Sequence, residues 1–123
     1  MPIEVTLLAQ TALTVDELRD FAETFDPPFV AAETRAGGTV EFTEFDHTRV
    51  LTLGRPRRVE TPTDLRRLFP EETRQLDDAG TLTDITTIIE GVLPFAQYRR
   101  GLALMFAFEE ATGGKAIVKG ITL

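Results

Sequence analysis

The most strongly patterned stretch of the chain is apolar on nearly all sides and runs from Pro94 to Gly114. Its large apolar residues recur three or four positions apart, which is the period of an α-helix. They are Phe95, Tyr98, Leu102, Met105 and Phe106, with Leu104, Ala107 and Phe108 on the flanks. Pro94 suits a first helical turn, and Gly113 or Gly114 suits the left-handed residue that ends a helix. The pattern predicts a buried core helix whose apolar surface extends most of the way round it.

The N-terminal part of the chain predicts a strand followed by a helix. Residues 3–9 mostly alternate apolar and polar side chains, which indicates a strand with one buried face and a partly covered second face. Thr14 followed by Glu17 fits a capping box, in which each residue bonds to the backbone of the other at the start of a helix. Asp26-Pro27-Pro28 ends this helix, because proline lacks an N–H and restricts the residue before it.

Residues 29–53 predict an antiparallel meander of three strands. The predicted strands are 29–36, 39–45 and 48–53, joined by turns at Gly37-Gly38 and at Asp46-His47. In the second strand the alternation places Val40 and Phe42 on one face, and Glu41, Thr43 and Phe45 on the other.

The remaining segments predict short helices and two further strands. Thr61-Pro62 opens a short helix, and the polar residues 70–79 continue with one or two helical turns that end at Gly80. Residues 81–92 are rich in threonine and isoleucine, which favours a strand, although Thr83 also fits a helix cap. Residues 116–123 are the last predicted strand.

Together these segments predict one α+β domain that spans residues 1–123. The predicted order is β-α-β-β-β-α-β-α-β, a mainly antiparallel sheet of about five strands with its helices packed on one face. A chain of 123 residues that is 42% hydrophobic is large enough for one domain with its own core. It has no cysteine, which excludes disulfide bonds and thiolate metal sites.

The opening residues and the longest apolar run bear on localisation. The chain begins with Met1-Pro2 and enters a strand-like segment at once, without the basic and apolar regions of a signal peptide. The longest apolar run, Leu102 to Phe108, is far shorter than the roughly 20 residues of a membrane-spanning helix. We therefore expect a cytoplasmic protein that has no contact with membranes.

Charge is distributed unevenly along the chain, whose formal net charge is −7. Residues 16–46 hold nine acidic residues and two arginines, whereas residues 55–67 hold five arginines and two acidic residues. A net negative surface repels nucleic acid and attracts a basic partner, although it also serves solubility alone. We expect a protein partner with a basic surface and no binding to nucleic acid.

The chain has none of the motifs that identify the common catalytic and cofactor sites. The phosphate-binding loop, the dinucleotide fingerprint, the nucleophile elbow and the zinc-binding helix are all missing from the sequence. His47 is the only histidine, and its place in a predicted turn favours a surface residue over a general base. We expect a protein without catalytic residues, cofactor or bound metal. A hydrolase with dispersed carboxylates is the less favoured alternative.

The C-terminal third of the chain resembles part of a known class of proteins. An Ala- and Phe-rich helix is followed by Thr112-Gly113-Gly114 and an apolar strand, in a small, acidic chain without cysteine. This pattern resembles the small bacterial immunity proteins of polymorphic toxin systems, of the contact-dependent inhibition type. Some of those families have Asp-Pro after the final strand, where this chain has Lys119-Gly120. The resemblance implies a protein that binds a cognate toxin domain and neutralises it by covering its active site.

The candidate partner-binding face is the outer side of the predicted strands in residues 39–53. It comprises Glu41, Glu44, Phe45 and Asp46, which are acids to steer a basic partner and an aromatic side chain to anchor it. The alternative is that Phe45 packs under a helix and that the acids only solvate the sheet.

A second hypothesis for the function is a small-molecule-binding domain or an accessory subunit. Its pocket would lie between the sheet and the core helix. This hypothesis requires that large residues such as Phe42, Phe106 and Phe108 leave that space open.

Overall fold

A computed structural model describes residues 3–11, 13–34 and 38–119 of the chain. These residues form seven strands and four α-helices, so the predicted α+β class is confirmed. The strands are β1 (Ile3–Ala9), β2 (Val30–Glu33), β3 (Val40–Thr43), β4 (Arg49–Leu53), β5 (Arg57–Arg58), β6 (Thr87–Leu93) and β7 (Lys115–Lys119). The helices are α1 (Val15–Glu23), α2 (Pro62–Leu68), α3 (Pro70–Asp78) and α4 (Tyr98–Thr112).

The sheet is antiparallel, and its strand order is β2-β3-β4-β6-β1-β7. Strand β1 lies between β6 and β7, and it places Leu7 opposite Ile89 of β6 on one side and Ala116 of β7 on the other. The short strand β5 pairs with the first residues of β6, and β4 pairs with its last residues. The predicted meander is confirmed as β2, β3 and β4, although residues 35–37 of its first turn lie outside the described part of the chain.

α1 and α4 cover one face of this sheet. α1 starts at the predicted capping box, where the Thr14 hydroxyl accepts from the Glu17 N–H at 3.1 Å and the Glu17 carboxylate accepts from the Thr14 N–H at 3.2 Å. α4 lies so close to β4 that a Cβ atom added at Gly101 would overlap the Val50 carbonyl oxygen. α4 ends as predicted, because Gly113 adopts the left-handed conformation with a φ of 68°.

Phenylalanine side chains fill the space between the sheet and α4. The ring centroid of the fully buried Phe108 lies 5.3 Å from that of Phe21 and 5.6 Å from that of Phe42. Phe106 and Phe95 do not contribute, since they are 41% and 62% exposed. The predicted core helix is confirmed, but the prediction that Phe106 and Phe95 belong to its buried surface was wrong. A helix that lies on a sheet contacts it along one side only, and its other side faces solvent.

The prediction that all helices pack on one face was also wrong. Leu8 of β1, Ile88 of β6 and Ile117 of β7 form a second cluster with Leu65 of α2 and Leu76 of α3. Their neighbours along each strand belong to the cluster under α1 and α4. Because successive side chains of a strand point to opposite faces, these strands are apolar on both faces and need helices on both.

Residues 81–92 form a strand only in their second half. Leu82–Asp84 form a 3₁₀ turn, and β6 begins at Thr87. The described residues of the predicted terminal strand form β7, and residues 120–123 lie outside the described part. The described strands number seven rather than about five, partly because the sequence did not reveal the two-residue strand β5.

Candidate binding surfaces

The turn between β3 and β4, residues 44–48, is fixed by its own hydrogen bonds. The Glu44 N–H donates to the Thr48 carbonyl oxygen at 2.9 Å, and the His47 N–H donates to the Glu44 carbonyl oxygen at 2.9 Å. Oδ1 of Asp46 accepts a hydrogen bond from the Thr48 N–H at 3.0 Å. His47 has a φ of 69°, which few residues other than glycine adopt, and its side chain is exposed. The 44–48 turn therefore has one defined shape.

Phe45 is presented to solvent by this turn. Its side chain is 69% exposed, the largest value among the large hydrophobic side chains of the described residues. It does not pack under a helix, which was the alternative to a partner-binding role. An aromatic side chain on a rigid turn loses little conformational freedom when it is buried by a partner. Its exposure is what the predicted role in partner binding requires.

Two of the three predicted acids are held by arginines of the same chain. Oε1 of Glu41 lies 3.1 Å from Nη2 of Arg49, and Oε1 of Glu44 lies 2.8 Å from Nε of Arg100. Both carboxylates are about one-third exposed. Part of their charge is therefore neutralised within the chain, and they contribute less to the attraction of a partner than the sequence suggested.

Asp46 is the third predicted acidic residue, and its surroundings differ from those of Glu41 and Glu44. It forms no ion pair with another residue of the described ranges, and it is exposed. Hydrogen bonds from the hydroxyl and the backbone N–H of Thr48 lower the pKa of Asp46, since they stabilise its charged form. Asp46 thus keeps a negative charge beside the exposed ring of Phe45.

Arg100 joins the 44–48 turn to α4, a role that the sequence analysis missed. Besides its contact with Glu44, its Nη2 donates to the Pro27 carbonyl oxygen at 2.9 Å. Its guanidinium carbon lies 4.3 Å from the centroid of the Phe29 ring. The sequence indicated that Arg100 needs a partner, because a basic residue in the first turn of a helix is disfavoured by the helix dipole. The sequence did not show that this partner is 56 positions away, at Glu44.

A groove of about 620 Å³ lies on the second face of the sheet, beside the end of α2. Its floor is formed by outward-facing side chains of β1, β4 and β6, and its wall by Leu68 and Phe69. Leu68 and Val92 are 52% and 39% exposed, and Arg57 forms an ion pair with Glu90 at the rim. The groove exists because α2 and α3 cover only part of this face. The sequence analysis placed no helix here and therefore did not predict it.

Within the described ranges, no group of three or more His, Asp or Glu side chains is placed to hold a metal ion. The lowered pKa of Asp46 is also the opposite of the raised pKa that a carboxylic acid needs to donate a proton near neutral pH.

Comparison of the chain with protein-family models, curated proteins and solved structures gives no match. In the part of the chain that the structure describes, no helix combines the length and the hydrophobicity that crossing a bilayer requires.

Proposed function

We propose that this chain is a non-catalytic protein-binding domain, and that it acts as an immunity protein which binds and covers a cognate toxin with a basic surface. The observation that carries the proposal is Phe45, an aromatic side chain that is 69% exposed on a turn of fixed shape. The resemblance of the C-terminal third to immunity proteins supports the more specific part of the proposal.

The free energy expected from burying Phe45 is large enough for this side chain to dominate an interface. Burying an exposed Phe side chain stabilises a complex by about 2 kcal/mol, and aromatic residues are enriched among the side chains that dominate interfaces. The net charge of −7 and the free carboxylate of Asp46 favour rapid association with a basic partner. The partner should offer an apolar pocket for Phe45 with lysine or arginine at its edge.

The test begins with the full chain as immobilised bait in a lysate of the source cells, with a salt wash and identification of the retained proteins by mass. The affinity of the purified partner is then measured for the wild type and for Phe45→Ala. We expect Phe45→Ala to weaken binding by about 30-fold or more. We expect the control Phe95→Ala, which removes another ring that is 62% exposed, to bind like the wild type.

Circular dichroism and thermal unfolding verify that both variants fold. Recovery of a basic toxin domain whose activity the wild type blocks and Phe45→Ala does not would support the whole proposal. A retained partner that binds Phe45→Ala as tightly as the wild type would exclude the 44–48 turn as the contact surface. Capture of no protein would contradict the binding role itself.

The groove favours a second function, the binding of a small molecule. At about 620 Å³ it is large enough for a ligand of metabolite size, and its lining combines apolar Leu68 and Val92 with the charges of Arg57 and Glu90. A thermal-shift screen with a metabolite library tests this function. A ligand that stabilises the wild type but not Leu68→Asp would support it, and equal stabilisation of the two would place the ligand elsewhere.

A further inference from the structure

The outer side of α4 carries a stripe that no other described element covers. Its residues are Arg99, Ala103, Phe106 and Glu110, spaced four, three and four positions apart, and therefore aligned along one face of the helix. All four are exposed, and Phe106 is 41% exposed. This stripe is distinct from the 44–48 turn and does not depend on the function proposed for that turn.

The two charges of the stripe are placed where the helix dipole disfavours them. The positive end of the dipole is at the N-terminus of a helix, yet Arg99 lies in the first turn of α4 and Glu110 in the last. Their neighbours have internal partners, since Arg100 contacts Glu44 at 2.8 Å and Glu109 accepts from a backbone N–H at 2.6 Å. Arg99 and Glu110 form no ion pair with any residue of the described ranges.

The stripe is complementary to itself when reversed. If a second copy of α4 is laid antiparallel with its centre between Leu104 and Met105, Arg99 comes opposite Glu110 and Ala103 comes opposite Phe106. Each pairing occurs twice, as a two-fold axis requires. The small side chain of Ala103 leaves room for the ring of Phe106. Each charge also lies near the end of the opposite helix that favours it, so the placement that is unfavourable in one copy becomes favourable in two.

We propose that the stripe binds a second copy of this chain, in a symmetric dimer formed by antiparallel α4 helices. A single helix stripe buries less than the roughly 800 Å² per partner of a standard interface. The dimer should therefore be weak, with a Kd on the order of 10–100 µM.

The test is sedimentation equilibrium of the full chain over a concentration range that spans this Kd. We expect Arg99→Glu or Glu110→Arg to weaken the dimer by at least tenfold, because each places two like charges opposite each other twice. The double variant Arg99→Glu with Glu110→Arg restores opposite charges and should dimerise more tightly than either single variant. It should remain weaker than the wild type, because each charge then lies near the end of the opposite helix that disfavours it. Both single variants put the helix charge on the favoured side of the dipole, so they should fold as stably as the wild type.

Arg74→Glu is the matched control, because it makes the same change in net charge at an exposed position of α3 and should leave the Kd within about twofold of wild type. A chain that is monomeric over the whole range would overturn the proposal. So would a double variant that dimerises no more tightly than the single variants, or a Phe106→Ala variant that dimerises as well as the wild type. If instead Phe106→Ala abolished the capture of a different protein while the wild type stayed monomeric, the stripe would belong to that partner.

Discussion

The 44–48 turn and the stripe on α4 both expose a phenylalanine, but the charges around the two rings are arranged differently. At the turn, Phe45 precedes the exposed Asp46, and Arg100, which contacts the turn, is already paired with Glu44. Along the stripe, Phe106 lies between the positively charged Arg99 and the negatively charged Glu110. An acidic surface of this kind fits a basic and different partner, whereas a stripe with both signs in mirror order fits its own copy.

The difference arises from two adjacent residues in the first turn of α4. Arg100 turns inward to the Phe29 ring and the Pro27 carbonyl oxygen, whereas Arg99 is exposed. Their backbone positions and charge are nearly the same, so composition alone does not separate them. What separates them is the side of the helix on which each lies, since consecutive helical residues point in directions about 100° apart.

The largest expected effect separates the inner and outer sides of α4. Phe108→Ala leaves a cavity beside Phe21 and Phe42 and should lower the free energy of unfolding by about 3–5 kcal/mol. Phe106→Ala removes a ring of the same kind from an exposed position and should change the free energy of unfolding by less than about 0.5 kcal/mol. Urea denaturation at concentrations where the chain is monomeric measures both. Equal losses for the two variants would contradict the orientation of α4.

An intermediate effect is expected for Arg100, which holds the turn. Arg100→Ala removes the contact with Glu44, the hydrogen bond to Pro27 and the packing on Phe29, and should cost about 1–3 kcal/mol of unfolding free energy. Arg99→Ala should cost less than about 0.5 kcal/mol. Hydrogen exchange should show faster opening of the His47 N–H in Arg100→Ala than in Arg99→Ala. Unchanged exchange would mean that the turn keeps its shape without Arg100.

The smallest effect concerns Asp46, which is fully exposed. Because hydrogen bonds from Thr48 lower its pKa, an NMR titration of its carboxyl carbon should have a midpoint below 3.8, and Thr48→Val should raise that midpoint. The sign for stability follows from the lower pKa in the folded state. The contribution is complete above the unfolded-state pKa and is lost as the pH falls through the folded-state pKa. A midpoint at or above 3.8 would contradict the hydrogen bonding described for this turn.

Local signals in the sequence were sufficient for much of the fold. The capping box of Thr14 and Glu17 uses only two residues three positions apart, and it is present in the structure. The meander of β2, β3 and β4 follows from alternation within each strand, and Gly113 marks the end of α4 through its own backbone conformation. Each of these signals is local because the atoms that interact are close in sequence.

The parts that the sequence did not reveal depend on residues far apart along the chain. Leu8 and Ile88 show that a strand is apolar on both faces, but not that α2 and α3 supply the second layer. The contact between Glu44 and Arg100 joins segments 56 positions apart, so the acidic face was predicted with more free charge than it has. The periodicity of α4 placed Phe106 on its apolar side, although Phe108 proved to be the buried ring.

The outer edges of the described sheet bear on how the protein behaves when it is concentrated. On β7 the Ala116 N–H is already bonded to Glu109, and on β2 the Ala31 carbonyl oxygen accepts from Nε of Arg19 at 3.4 Å. A strand whose outward backbone groups are already bonded is a poor template for the addition of a strand from another molecule. At each of these two edges, a strand added from another molecule would find one backbone group already bonded, which favours contact through side-chain surfaces instead.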